Sequence, residues 1–183
     1  MSDPIGDAFR SVIEEIYWEE SLEKAEGILE EFIAGMDEDV RELLLERRKK
    51  ICESPGDVED VRLYLALQAV DDEKLVKLLE LKLYVKSLFL VQCTSKWSKM
   101  SPREKAWILT PLYKASYGVE LATRELESPL FEAHLEAAVR YLEEALRRIS
   151  AAGLDSELES IIKRSIDNVV SIISQAGDRD NEN

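Results

Sequence analysis

The chain has 183 residues, of which 45% are apolar and 34% are charged, with only seven glycines and five prolines. Such a composition supports a buried core and excludes the disordered, collagen-like and disulfide-scaffold classes of protein. The net charge of −14 opposes non-specific attraction to nucleic acid or to anionic membranes.

Helical periodicity predicts an all-α protein, because apolar residues recur every three or four positions and no segment alternates between apolar and polar residues. The first helical region opens near Asp7, and a shift of its apolar stripe predicts a bend or a new helix near Ser21. Gly35 is expected to end this region as a left-handed cap. Asp37 is then expected to start a second helix that runs to about Cys52.

The middle of the chain predicts two more helices. Pro55 and Gly56 interrupt the periodicity, and acidic residues restart it as a third helix over residues 57–70. A fourth helix follows, in which most positions over residues 75–93 are apolar. Because a helix that is apolar on most sides is surrounded by others, residues 72–94 are predicted to form the central helix.

A capping box is the clearest local signal after this helix. Ser101 is the predicted N-cap, Pro102 takes the first helical position, and Glu104 is placed to hydrogen-bond back to the cap. Proline removes a donor and clashes with the preceding turn. Pro111 is therefore expected to stop or kink this helix and to open a fresh one over residues 111–127.

Two further helices are predicted at the end of the chain. A serine–proline pair at residues 128–129 starts the first, which Gly153 is expected to end. The second begins at Asp155 and ends before Gly177. Its regular apolar stripe either completes the core or seals a homodimer. Residues 178–183 are expected to be a disordered acidic tail.

Together these elements predict an all-α fold, an irregular bundle of about seven to eight helices around the apolar helix at about residues 72–94. Residues 1–177 are predicted to form a single domain, with a candidate subdivision near residues 95–101. Cys52 and Cys93 lie in separate apolar runs without a Cys-x-x-Cys pair, and this arrangement predicts buried free thiols.

The sequence predicts a cytoplasmic protein without membrane contact. The N-terminus is acidic, and no run approaches the roughly 18 apolar residues that cross a bilayer. The chain contains only three Gln and three Asn, which favours a thermophilic source.

Few residue patterns that carry catalysis are present. The single histidine, His134, excludes most metal-binding helices, and its place on an apolar stripe favours a satisfied, partly buried side chain. Neither Gly-x-Gly-x-x-Gly nor Gly-x-x-x-x-Gly-Lys occurs, so the glycine-rich phosphate loops are absent. The sequence therefore predicts no catalytic residue, no metal ligand and no cofactor.

Glutamates crowd the first helical region. Glu19, Glu20 and Glu23 place carboxylates one helical turn apart, as a helical Mg²⁺ site requires. This spacing resembles the first half of the all-helical nucleoside triphosphate pyrophosphohydrolase pattern, but the second half, Glu-x-x-Asp, is absent. The acids are therefore interpreted as a solvated face, and a magnesium-dependent hydrolase is kept as an alternative.

Residues 82–124 carry the opposite charge. They contain eight basic and two acidic residues, a net charge of +6 against −20 for the remainder. Cations alternate there with aromatic residues, as phosphate neutralisation and base stacking require. The candidate surface for a partner or for nucleic acid consists of Lys96, Trp97, Lys99, Arg103, Lys105 and Lys114. Alternatively, the aromatic residues belong to the core and the lysines neutralise the acidic N-terminal region.

Part of this region resembles a known family. Residues 75–87, the loop that follows, residues 101–105 and the next amphipathic helix resemble the helical domain of archaeal GINS subunits of the replicative helicase. The resemblance covers a short part of the chain and rests on pattern rather than on a motif. GINS subunits also carry a small β domain, which this sequence does not predict.

These features predict a non-enzymatic helical interaction protein, an adaptor or a subunit of a larger complex. Its acidic N-terminal region would dock a basic partner, and its basic middle would contact acidic protein or phosphate. The main alternative is a single-stranded nucleic-acid-binding subunit of a replication or ribonucleoprotein complex that uses residues 82–124.

Overall fold

The computed structural model describes residues 4–53 and 73–181, within which it contains seven α-helices and no strand. The helices are α1 (Pro4–Trp18), α2 (Leu22–Ala34), α3 (Glu38–Glu53), α4 (Glu73–Leu88), α5 (Pro102–Arg124), α6 (Leu130–Ala152) and α7 (Ser156–Asn181). Two 3₁₀ segments, Phe89–Cys93 and Trp97–Lys99, connect α4 to α5. The predicted all-α bundle is confirmed, and the helix predicted over residues 57–70 lies outside the described residues. No helix in the described ranges combines the length and apolar character needed to cross a membrane.

Helix α5 lies at the centre of the described bundle. It packs against α1, α2, α4 and α6, and most of its middle is buried. Helix α4 packs mainly against α5 and α7, and residues such as Val76 and Leu79 stay half-exposed. The helix predicted over residues 72–94 is α4 with the 3₁₀ segment after it, and its residues Leu78, Leu81, Val85 and Leu88 are buried.

The apolar stripe of α7 packs inside this chain. Leu158, Ile162 and Val169 are buried, and α7 packs against α6 and α4. The stripe thus completes the core, which is one of the two roles that the sequence left open. Helix α7 continues to Asn181, past the end predicted before Gly177 and into the tail that was expected to be disordered.

Two predicted helix starts are confirmed at serine caps. The Ser21 hydroxyl accepts a hydrogen bond from the Lys24 N–H, and α2 begins at Leu22, which explains the shift of the apolar stripe. At the start of α5, the Ser101 hydroxyl accepts from the Glu104 N–H, and the Glu104 carboxylate accepts from the Ser101 N–H. This reciprocal pair is the predicted capping box.

Two glycines end their helices in different ways. Gly153 ends α6, as predicted, and has φ of 63°, in the left-handed region that glycine adopts at little cost. Gly35 follows α2 with φ of −91°, and its N–H donates to the Glu31 carbonyl. The left-handed cap predicted at Gly35 is therefore wrong.

Helix α5 runs through Pro111 without ending, so the stop and the fresh helix are wrong, and of the two predicted effects only a kink is left. Because proline has no N–H, the Trp107 carbonyl one turn earlier loses its helical donor. The Arg148 guanidinium on α6 donates to that carbonyl oxygen at 2.7 Å. A side chain from another helix thus replaces the missing backbone hydrogen bond.

Cys52 and Cys93 form a disulfide, so the prediction of two buried free thiols is wrong. Helix α3 packs against the 3₁₀ segment that ends at Cys93, and this contact brings the two Cα atoms to 5.5 Å despite a sequence separation of 41. Cys93 is exposed and Cys52 is half-buried. Neither helical run shows this pairing by itself, because the contact is between distant segments.

Candidate interaction surfaces

The structure divides the six residues of the predicted basic surface into two groups. Trp97 is 3% exposed and Lys114 is fully buried. The other four are exposed or half-buried: Lys96, Lys99, Arg103 and Lys105. Trp97 and Lys114 therefore belong to the core, and the exposed cations remain candidates for a binding surface.

Two of the exposed lysines have contacts within the fold. The Lys96 ammonium donates to the carbonyls of Ala152 and Gly153, at 3.4 and 3.2 Å, at the C-terminal end of α6, where a cation is favourable. The Lys105 ammonium lies 5.9 Å from the centroid of the Trp97 ring, a cation–π contact. Substitution of either lysine would therefore perturb the fold as well as the surface.

Two arginines of α3 extend the surface that remains. Burial lowers the pKa of Lys105, and the positive charges of Arg48 and Arg41 lower this pKa further. We call Arg41, Arg48, Lys99, Arg103 and Lys105 the basic end. Among the described residues, no carboxylate forms an ion pair with any of these five. The sequence pattern places Arg48 in a basic cluster at a helix end and does not join either arginine to this surface, because the packing of α3 decides their neighbours.

Lys114 has a structural role beneath the acidic region. Its ammonium donates to the carbonyls of Tyr17, at 3.4 Å, and Glu19, and to the Tyr141 hydroxyl at 3.4 Å. It also lies 4.8 Å from the centroid of the Tyr141 ring. Burial lowers the pKa of Lys114, whereas the Glu19 charge raises it. Lys114 thus ties the C-terminal end of α1 to α5.

The glutamates considered for magnesium do not share a helical face. Helix α1 ends at Trp18 and α2 begins at Leu22, so Glu19 and Glu20 lie in the connection and Glu23 lies in the first turn of α2. The one-turn spacing on which the hydrolase alternative depends is therefore interrupted. Within the described ranges, His, Cys, Asp and Glu side chains form no group of three that could hold a metal ion.

A buried ion-pair network surrounds Arg148. Its guanidinium lies 2.5 Å from a Glu26 carboxylate oxygen and 3.0 Å from a Glu144 carboxylate oxygen. The same group lies 5.2 Å from the centroid of the Trp107 ring. The hydrogen bond from Arg147 has the largest effect and lowers the pKa of Glu144. Burial raises this pKa, and the hydrogen bond from Arg148 lowers it further. These contacts join α2, α5 and α6, so the network is structural.

His134 is 7% exposed, and both of its ring nitrogens face polar groups. The Tyr17 hydroxyl lies 2.7 Å from Nδ1, and a Glu125 carboxylate oxygen lies 3.5 Å from Nε2. We assign the imidazole proton to Nε2, because the phenol then donates to Nδ1 and the carboxylate faces a donor. Gly118 permits this packing, since a Cβ there would lie 3.3 Å from the His134 carbonyl oxygen. The predicted burial of His134 is confirmed and Nδ1 has a hydrogen-bond partner, whereas the buried Glu125 Oε2 that faces Nε2 has no hydrogen-bond partner among the described residues.

Buried tyrosines predict a loss of stability at alkaline pH. Burial raises the pKa of Tyr17 from 10.0 to about 12, and burial also raises the pKa values of Tyr113, Tyr117 and Tyr141. A raised folded-state pKa means that the unfolded chain releases its protons first, so the free energy of unfolding falls as pH rises above 10.

Thermal unfolding followed by circular dichroism from neutral pH to pH 12 tests this expectation. Tyr17→Phe should show a shallower decline than the wild type, because one titrating group has been removed. A melting temperature that stays constant from pH 10 to pH 12 would contradict the prediction.

Comparison of the chain with protein-family models, curated proteins and solved structures finds no match. The resemblance of residues 75–105 to GINS subunits thus receives no support from a match. The functional conclusion rests on the chain's own residues and their contacts.

Proposed function

We propose that this protein is a non-enzymatic helical assembly protein, an adaptor or subunit of a larger complex, whose basic end binds an acidic surface of a partner protein. One observation supports this most directly. The five cations of the basic end come from α3, the second 3₁₀ segment and the first turn of α5, without an ion-paired carboxylate among the described residues. Their mutual repulsion favours an anionic partner.

Glu14, near the end of α1, is distant from Lys105 of the basic end. Glu14 raises the pKa of Tyr117, after the larger effect of burial, so Glu14 lies beside this part of α5. Along the axis of α5, Tyr117 and Lys105 are separated by roughly 18 Å, from the helical rise per residue. Charges separated by more than the Debye length of about 8 Å are largely screened at physiological salt. Glu14 therefore does not neutralise Lys105.

The aromatic residues favour a protein partner over single-stranded nucleic acid. Base stacking requires exposed rings, but Trp97 is buried and Tyr113 and Tyr117 pack against or within the core. Because these three rings are covered, the nucleic-acid alternative retains only phosphate contacts at the basic end.

Reversing two charges tests the proposal. Lys99→Glu combined with Arg103→Glu should raise the Kd for labelled poly-L-glutamate, a probe for acidic protein, by at least about tenfold and flatten its salt dependence. Both side chains are exposed, so helicity should be unchanged. Fluorescence anisotropy at low and physiological salt measures the Kd, with labelled single-stranded DNA as a second probe.

A matched pair on α7 supplies the control. Lys163→Glu combined with Arg164→Glu makes the same change in net charge at two other exposed positions. Equal weakening by both double variants would indicate attraction by overall charge and overturn the proposal. Tighter binding of the DNA than of poly-L-glutamate would favour the nucleic-acid alternative instead.

The proposal includes a cytoplasmic location in a thermophilic source. Disulfides are rare in mesophilic cytosol but are frequent in the intracellular proteins of hyperthermophiles. The Cys52–Cys93 disulfide and the low content of Gln and Asn agree with that setting.

A further inference from the structure

Trp18 is an exposed aromatic residue whose orientation is fixed by buried rings. Its side chain is 64% exposed, although Ile16 and Tyr17 before it are buried. The indole makes edge-to-face contacts with Tyr17, at 4.9 Å between ring centroids, and with His134 at 6.3 Å. Because buried neighbours hold the ring, a ligand would meet a preorganised surface and lose little side-chain entropy on binding.

A second exposed apolar side chain lies one helical turn before His134. Leu130 is 53% exposed and precedes His134 by one turn of α6, so the two residues share a helical face. Trp18 comes from α1, far from Leu130 in sequence, and its ring contacts that of His134. We call these three residues the Trp18 patch. Tryptophan is enriched among the residues that contribute most to protein–protein binding.

The surroundings of this patch are mainly acidic. The carboxylates on α1, in the connection to α2 and next to His134 are Glu14, Glu15, Glu19, Glu20 and Glu125. Among the cations nearby, Lys114 is buried and Arg124 is paired with Glu120. The positive charge of Arg140 lowers the pKa of Tyr17, so Arg140 also lies near the patch. The rim therefore favours a positively charged ligand.

We propose that the Trp18 patch docks a cationic amphipathic segment of a partner protein, with an arginine or lysine over the Trp18 indole and an apolar side chain on Leu130. A cation over a tryptophan ring is the most favourable cation–π pair, and the rim carboxylates attract the remaining charges. An anionic membrane or nucleic acid would meet like charge. This inference rests on the proposed role in assembly and adds a second, oppositely charged docking surface.

The test uses a labelled synthetic peptide with leucine and arginine at amphipathic helical spacing, and a matched peptide in which every arginine is glutamate. Fluorescence anisotropy should show binding of the arginine peptide alone. Trp18→Ala should raise its Kd by at least about tenfold, and Leu130→Ser should also weaken binding. Val170→Ala, which trims an exposed apolar side chain on α7, should leave the Kd unchanged.

Each alternative has a distinct outcome. Equal affinity of the wild type and Trp18→Ala, or equal binding of the two peptides, would overturn the inference. Sedimentation that shows a dimer lost in Trp18→Ala would assign the patch to a second copy and also overturn it. Poly-L-glutamate tests the basic end, whereas the arginine peptide tests the Trp18 patch. If poly-L-glutamate binds and the arginine peptide does not, only the docking role of the Trp18 patch is refuted. If neither poly-L-glutamate nor the arginine peptide binds, the proposed function is refuted as well.

Discussion

Replacing Arg148 with alanine is expected to lower the free energy of unfolding by about 3–5 kcal/mol, the usual cost of removing one partner from a buried ion pair. The buried guanidinium contacts Glu26, Glu144 and the Trp107 carbonyl. Its loss leaves two largely buried carboxylates and one carbonyl without their donor. Urea unfolding followed by circular dichroism measures the change.

Arg147 provides the neighbouring control. It also pairs with Glu144, but its side chain is 67% exposed. Because exposed ion pairs contribute little, Arg147→Ala should remain close to the wild type in stability. Equal destabilisation by Arg147→Ala and Arg148→Ala would contradict the role assigned to Arg148.

A double-mutant cycle with Pro111 isolates the hydrogen bond to the Trp107 carbonyl. Pro111→Ala restores an N–H that can donate to this carbonyl within α5. We therefore expect Arg148→Ala to be less destabilising in the Pro111→Ala background than in the wild type. The same cost in both backgrounds would show that the carbonyl contact contributes nothing to stability.

Removing the disulfide by Cys52→Ser and Cys93→Ser is expected to lower the free energy of unfolding by about 4 kcal/mol. The bond joins residues with a sequence separation of 41, so it restricts a long loop in the unfolded chain. None of the described side chains of α3 is buried, so this helix depends on its covalent link. Urea unfolding measures the loss, and amide hydrogen exchange should become faster in α3.

Reductant provides the control for this variant. It should lower the urea midpoint of the wild type and leave that of the double variant unchanged. A wild-type midpoint that does not respond to reductant, together with two reactive thiols in the unfolded chain before reduction, would restore the free-thiol prediction.

Signals contained within a few residues were predictable. The capping box at Ser101 and Glu104, the new helix after Ser21 and the helix end at Gly153 all depend on hydrogen bonds or backbone angles within one turn. Gly35 shows the limit of this reasoning, because glycine permits a left-handed conformation without requiring it.

Signals that depend on another helix were not predictable. Pro111 breaks a helix in isolation, but Arg148 donates the replacement hydrogen bond from α6. Cys52 and Cys93 meet only because α3 packs against the segment after α4. Long-range packing supplies both partners, and spacing along one helix does not contain that information.

The candidate surface was predictable only in part. The cation-rich composition of residues 82–124 indicated a basic surface, and Lys99 and Arg103 are exposed as expected. Sequence analysis did not separate these two from Trp97 and Lys114, which are buried. It did not single out Trp18, because an apolar residue at the end of a helical stripe is expected to be covered.

The sequence by itself determined the all-α class, several helix starts and ends, and the opposite charges of the N-terminal and middle regions, because periodicity, caps and composition act locally. The tertiary structure decided which helix is central, how the chain tolerates Pro111 and which charged or aromatic side chains reach solvent. Burial depends on the sum of contacts from neighbouring helices, and a lysine such as Lys114 is buried only where carbonyls from another helix accept its hydrogen bonds.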